Sequence, residues 1–406
     1  MPKKKLLFIG IGMYNGGTEK SFLSFLHRLD FDRFDVDLLL ARREGLFMDQ
    51  IPQRVHVVEM DSLGELFLLS GKNAAELIWK CFRRYNPVAL FGVVPYFVKL
   101  ILAPKKRTET ATRLWVHLMK QMEAPSEIFA KYYDAAAAYW GERTMFYMID
   151  KINARRKIAW MHFEYDSARY DDATYRHYFS KCDAVVNVSN TVNRAMLTKF
   201  PELASKCLVI ENINEPAAIR EMSLYGETYP DYNYRGARIL SAVRLTAQKG
   251  PDLAIRAMAM LRKAGYEARW YFLGGGEMLD ELKVLSVDEG VADIVRFLPP
   301  TPNPYPFMRD CTIYVQPSRY EGKPVVVEEA KILACPIVAT DYQSAAEQLA
   351  DGRYGLICQP TAESIFEAVK QMLDDPDLRD AFTQTLAKTD FSNAREIEKF
   401  YGLIGE

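Results

Sequence analysis

The chain has 406 residues, 49% of them hydrophobic and 26% charged, with a formal net charge of −1. That balance excludes a disordered chain and gives no reason to expect a nucleic-acid partner. The length exceeds one ordinary core of about 100 to 200 residues, so two domains and a cleft are expected.

The chain begins with Lys3 to Lys5 and the run "LLFIGIG". The run is too short for a signal peptide and has no small-residue cleavage site, so it reads as a buried strand. Gly10, Gly12, Gly16 and Gly17 then form a strand-to-helix turn. Further apolar runs, "FDVDLLLA", "VHVVEM", "AAAAYW", "RKIAWMH", "AVVNVS" and "CLVIEN", alternate with helical spacing such as Thr18 to Leu29. The alternation predicts a parallel, doubly wound sheet. Residues 61–130 are more helical and irregular, an expected insertion in this first domain.

No stretch reaches the roughly 18 apolar residues of a spanning helix. Residues 96–122 mix apolar and basic side chains. They suit either an interfacial helix presenting a lipid-linked acceptor or a core-packed helix with a solvated basic loop. Residues 1–215 carry 31 Lys and Arg against 25 Asp and Glu, and the remainder 21 against 28. The basic first half either favours an anionic leaflet or is incidental.

Residues 214–236, rich in tyrosine, proline and glycine, read as a linker. A second α/β series follows, from "ARILSAVRL" to "AESIFEAVKQMLDD". The expected division is 1–215, 216–390 and a final segment 391–406, with a helix from about Ser392 to Leu403 that is free to return to the first domain. Cys81, Cys182, Cys207, Cys311, Cys335 and Cys358 show no metal-ligand spacing and read as reduced core residues of a cytosolic protein.

Ligands of such sheets bind beyond the carboxyl ends of the strands. There, "SRYEGKPVVVEEA" places Glu321 in a turn and Glu329 in the helix opened by Pro324, expected to run to about Ala334. The amides near Gly322, Lys323, Pro324 and Val325 form an anion site at a helix start. A carboxylate on each side suits a ligand of sugar, diphosphate and sugar; the plain alternative is two solvated charges. "VRLTAQKG" ends another strand with Arg244 and Lys249, cations suited to phosphate oxygens. "FLGGGE" supplies Gly274 and Gly275, where backbone can approach a ligand. Asp35 and Asp37 form a D-x-D, but within a predicted strand, so no metal site is expected there.

These motifs resemble the retaining glycosyltransferases of family 4, whose fold is GT-B: two Rossmann-like doubly wound domains facing a central cleft. "YEGKPVVVEEAKILACPIVATD" resembles the E-x7-E signature, "AVRLTAQKGPDLAI" the phosphate motif, and "IGIGMYNGGTEKSFLSFL" the N-terminal glycine loop. "RKIAWMHFEYD", "YFSKCDAVVNVSNTV" and "CLVIENINEP" are similar to the bacterial capsule, exopolysaccharide and lipopolysaccharide subset.

The resemblance implies that Arg244 and Lys249 neutralise the donor diphosphate and the leaving group. Glu329 would hold the ribose, Glu321 the transferred sugar, and His162 would line the sugar site. Gly16 and Gly17 would close over phosphates and acceptor, with the base near Phe297 and Leu298. It further implies a cytoplasmic, metal-independent enzyme without a cofactor, using a UDP-sugar as donor and a glycan or lipid-linked acceptor. Lys323 stands where relatives often carry a large apolar residue, and "HFEY" where asparagine and aspartate are frequent. Substrate identity therefore stays open. So do three other readings: a catalytically silent nucleotide-sugar-binding subunit, a sugar epimerase, and an NAD-dependent oxidoreductase suggested by Gly10, Gly12, Gly16 and Asp37.

Overall fold

The computed structural model describes residues 2–60, 67, 79, 87–102, 107–121, 125–163, 165 and 171–405. Two compact units are present: Met1–Asn212 with Arg395–Glu406, and Ile213–Ala394.

The first unit holds β1 (Lys4–Gly10), β2 (Phe34–Leu40), β3 (Val55–Glu59), β4 (Tyr133–Ala138), β5 (Ala154–Met161), β6 (Ala184–Asn187) and β7 (Cys207–Val209). Their order across the sheet is β3-β2-β1-β4-β5-β6-β7, with every pairing parallel. Such a sheet is covered on both faces, which is why its strands are unbroken apolar runs such as Leu6 to Ile9, all at most 1% exposed. The Gly17–Arg28 helix lays Phe22 and Phe25 against Phe8. The terminal Glu396–Ile404 helix adds Phe400 to the same cluster. Lys4 Nζ and Arg155 Nη2 donate to the Gly405 and Ile404 carbonyls at 3.0 and 2.9 Å. Cations there satisfy the orphan acceptors at a helix's negative end. This helix starts at Glu396, four residues later than the sequence pattern suggests.

Of the 61–130 insertion, the structure describes helices Pro87–Leu102, Arg107–Gln121 and Ser126–Phe129. Cys81 lies outside the described residues, as do the basic residues Lys105 and Lys106. The other five cysteines are free; Cys182 and Cys335 are buried and the rest half-buried. Among the described residues no helix is long and apolar enough to cross a membrane.

The second unit holds β8 (Ala237–Ala242), β9 (Ala268–Leu273), β10 (Val295–Leu298), β11 (Ile313–Gln316), β12 (Ile337–Thr340) and β13 (Leu356–Cys358). Their order, β10-β9-β8-β11-β12-β13, repeats the first sheet's plan, again all parallel. The strand order reverses between β8 and β11, the switch point where the turns diverge and leave a crevice.

Two local expectations are corrected. Residues 214–236 are more than a polar linker: Pro216–Met222 is helical, and Ile219 and Tyr229 are buried in this unit's core. Tyr229 donates to the Phe307 carbonyl at 2.8 Å, so its apolar ring can be buried with its hydroxyl satisfied. The helix after Pro324 spans Val325–Ile332 rather than reaching Ala334. Ala334 takes φ 56, the Cys335 amide bonds the Ala330 carbonyl and the Ala334 amide bonds that of Lys331. That is the Schellman ending, built here on alanine instead of glycine.

Candidate active site

The two turns at the β8/β11 switch point carry the charged residues singled out in the sequence. After β8, residues 243–250 bring Arg244 and Lys249 to the start of the Pro251–Lys263 helix. After β11, residues 317–323 bring Glu321 to the start of the Val325–Ile332 helix. Lys249 Nζ donates to Glu321 Oε1 at 2.5 Å. The same oxygen accepts from Ser318 Oγ at 2.7 Å and Gln316 Nε2 at 3.1 Å. Glu321 is 7% exposed and Glu329 2%, which overturns the alternative of two solvated charges. A buried carboxylate persists only with a cation or several donors beside it, and Glu321 has both.

The turns are held together closely. Gly250 sits at φ +63, and a Cβ there would lie 2.0 Å from the Pro317 carbonyl oxygen. Gly274 serves a similar purpose: a Cβ there would meet the Val243 carbonyl oxygen at 2.3 Å, while a Cβ on Gly275 would meet nothing nearer than Pro300 at 3.9 Å. The close approach Gly274 permits is thus that of the chain's own 243–245 turn. Phe297 stacks on Phe272 at 5.5 Å between centroids, in the core face of the sheet, and the Leu298 carbonyl accepts from the Gly274 amide.

Arg244 is exposed. Gly322 and Pro324 are buried, whereas Lys323 and Val325 are half-buried. Pro324 is the N-cap, with φ −63 and ψ 120. Glu329 faces Tyr305, whose hydroxyl donates to Oε1 at 2.9 Å. The neighbouring Glu328 points elsewhere, to Lys331 at 2.8 Å and Gln348 at 3.0 Å.

In the first unit, Gly16 caps the Gly17–Arg28 helix after β1, and His162 follows β5. The His162 ring lies 4.7 Å from that of Tyr139. Burial pushes its imidazole down to about 3, against the opposing effect of a hydrogen bond to the Tyr139 backbone. Its Nε2 is enclosed without a hydrogen-bond partner. His162 is therefore a neutral ring at physiological pH. Asp37 lies within β2, as the sequence indicates, and binds Lys131, Tyr133 and His56.

Sequence reading missed Gln316, Ser318, Tyr305 and Arg319. Ser318 and Arg319 stand in the same short motif as Glu321, but nothing local distinguishes a carboxylate's hydrogen-bond donor from a solvated side chain.

Each unit is a parallel, doubly wound sheet, a fold the chain shares with solved glycosyltransferases. Residues 233–389 match the family model described as glycosyl transferases group 1. The structure resembles the Anabaena HepE protein in complex with UDP and glucose, with a TM-score of 0.66, 14% identity and coverage of 98% of each chain. An uncharacterised glycosyltransferase of Methanocaldococcus jannaschii is 22% identical over 265 residues, 57% of this chain and 65% of the relative. A lipopolysaccharide core biosynthesis mannosyltransferase of Rhizobium leguminosarum is 32% identical over 143 residues, 33% of this chain and 40% of the relative. The chain thus spans less than two thirds of these curated relatives.

Proposed function

We propose that the protein is a retaining glycosyltransferase that moves a hexose or N-acetylhexosamine from a nucleotide-diphosphate sugar, with UDP as the carrier, to a glycan or lipid-linked acceptor in bacterial cell-surface polysaccharide assembly. The observation that carries this reading is the ion pair of half-buried Lys249 with buried Glu321 at the switch point, with exposed Arg244 in the adjoining turn and Glu329 in the following helix. Support also comes from the family match over residues 233–389 and from the relatives' names.

In this reading the donor diphosphate lies between Arg244, Lys249 and the amides at the start of the Val325–Ile332 helix. The bond broken is that between the anomeric carbon and the diphosphate oxygen, and its electron pair leaves with the nucleotide. Preorganised cations stabilise that charge more than they stabilise the intact donor, which lowers the barrier. The acceptor hydroxyl attacks the same face and its proton passes to the departing phosphate oxygen, so neither a protein nucleophile nor a metal is invoked. Glu321 bonds the sugar's hydroxyls, and Glu329 the ribose. His162, being neutral, offers a hydrogen bond rather than a charge.

The test is thermal unfolding against UDP, GDP, dTDP and NAD. UDP is expected to raise Tm selectively, since a ligand at 100 times its Kd adds about 2.7 kcal/mol to the native state. A rise with NAD alone would overturn the reading in favour of an oxidoreductase. A rise with UDP but no transfer to any acceptor would favour a silent subunit.

A second reading concerns location: the cytoplasmic face of a membrane. Val94, Val98 and Leu102 are 49%, 46% and 75% exposed at i, i+4 and i+8 of the Pro87–Leu102 helix, beside exposed Lys99. An exposed aliphatic stripe next to basic residues suits the interface of an anionic leaflet. Flotation with phosphatidylcholine vesicles containing phosphatidylglycerol should recover the protein, and Val98→Glu should reduce that recovery. Absence of the wild-type protein from the floated fraction would remove the idea.

A further inference from the structure

The two turns of the candidate donor site are also joined by contacts that the Lys249–Glu321 pair does not account for. Arg319, two residues before Glu321, places its guanidinium across Asp252 in the first turn of the Pro251–Lys263 helix. Nη1 meets Oδ1 at 2.8 Å and Nη2 meets Oδ2 at 2.6 Å, the two-pronged arrangement. Nη1 also donates to the Ala247 carbonyl at 2.7 Å. Alongside, the Arg319 amide bonds the Gln248 carbonyl at 2.8 Å, and Gln248 Nε2 donates to the Tyr320 carbonyl at 3.0 Å. Lys249 and Glu321 sit next to these contacts, one on each turn.

The chemistry is specific to this geometry. A planar fork on a carboxylate fixes direction as well as distance, which a lysine's point charge cannot do. Burial alone would raise the Asp252 carboxyl, but hydrogen bonds and charge from Arg319 hold it below the usual range. Arg319 and Asp252 remain partly accessible, at 36% and 24% of their side chains. Such a pair contributes little to global stability. Its consequence is local: it sets the separation and angle of the turn bearing Lys249 and the loop bearing Glu321.

We propose that Arg319 and Asp252 are positioning residues for a nucleoside diphosphate sugar, locking the 243–250 turn to the 317–323 loop so that Lys249 and Glu321 are preorganised before the donor arrives. The inference rests on the donor-site reading above. Neither residue needs to touch the donor; each acts through the backbone that carries the residues that do.

The experiment is calorimetric titration of the full-length protein with UDP, carried out far below the Tm of every variant so that each is fully folded. The variants are Arg319→Ala, Asp252→Ala, their combination, Arg319→Lys and Glu329→Ala. Each single alanine change is expected to weaken UDP binding about tenfold, and the double change no further than either alone, because both remove one coupled interaction. Arg319→Lys should recover only part of the loss. Wild-type affinity in both single alanine variants, with Glu329→Ala still weakened, would overturn the positioning role and leave the donor site standing. Additive losses in the double variant would also overturn it, since the residues would then act separately. Failure of the wild-type protein to bind UDP or any other nucleoside diphosphate would overturn the donor-site reading and this inference together.

Discussion

Glu329→Ala is expected to weaken nucleotide-sugar binding by about 10- to 100-fold, whereas Lys249→Ala should lower kcat by about 100- to 1,000-fold with a smaller change in affinity. The difference follows from when each interaction matters. Glu329 is 2% exposed and oriented by Tyr305, so its carboxylate is fixed before any ligand arrives. Ribose hydroxyls keep the same charge throughout the reaction, so a carboxylate that holds them binds ground state and transition state alike. Truncation then costs one or two charge-assisted hydrogen bonds, each worth about 1.5 to 3 kcal/mol, and each 1.4 kcal/mol is about a factor of ten.

In the proposed reaction Lys249 would meet a charge that grows as the diphosphate departs, so its loss should fall on turnover. It also neutralises Glu321 at 2.5 Å, and Lys249→Ala would leave that buried carboxylate with only Ser318 and Gln316 as side-chain donors. Steady-state kinetics with the donor identified by thermal shift separate the two effects. Unchanged kcat in Lys249→Ala together with unchanged KM in Glu329→Ala would remove the site assignment.

Much of this was legible in the sequence because parallel strands covered on both faces must be apolar throughout. Runs such as "LLFIGIG" and "KIAWM" therefore locate β1 and β5 directly. The turns after β8 and β11 were legible for a related reason: charge and glycine packed between apolar runs stand out. Pairing was not legible. Lys249 and Glu321 are 72 positions apart, and only the strand order that sets β8 beside β11 brings them together. Nor does the sequence say which member of Glu328–Glu329 faces Tyr305, since neighbours on a helix differ by about 100°. Tyr229 falls in a segment that reads as a linker because it is polar, tyrosine-rich and punctuated by proline and glycine; its burial depends on a carbonyl at Phe307 that no local pattern announces. His162 is singled out by the family resemblance rather than by its place after β5, and its neutrality comes from enclosure, which is a tertiary property.

The cluster behind the Val325–Ile332 helix carries the largest expected effect on stability. Glu328 and Lys331 are 5% exposed each and meet at 2.8 Å; Lys331 also donates to the Gln348 carbonyl at 3.0 Å. Gln348 Nε2 in turn reaches Glu328 and, at 2.9 Å, the Pro324 carbonyl at the helix start. Burial raises the Glu328 carboxyl, but the charges of Lys331 and Lys323 and the hydrogen bonds from Lys331 and Gln348 leave it lowered overall. A lowered carboxyl contributes stability that is present above its unfolded value and lost as the pH falls through its folded value. At neutral pH the full contribution is present.

Lys331→Met removes the cation that bonds Glu328 and leaves this buried carboxylate with only Gln348 and the charge of Lys323, so unfolding in urea at pH 7 should show a loss of about 3 kcal/mol. Without Lys331, Glu328 is expected to titrate above its unfolded value, and the sign of its contribution reverses. Acid then relieves the strain: protonating Glu328 should narrow the gap between variant and wild type as pH falls from 7 towards 5. Glu328→Gln combined with Lys331→Met should regain much of the loss, since a neutral amide needs no cation. A gap of equal size at both pH values would mean that lost packing, rather than the stranded charge, destabilises the variant. Because Gln348 ties this cluster to the Pro324 carbonyl, the double variant should also retain UDP binding better than Lys331→Met does. The start of the Val325–Ile332 helix is thus expected to hold its place better when residue 328 and Gln348 stay paired behind it.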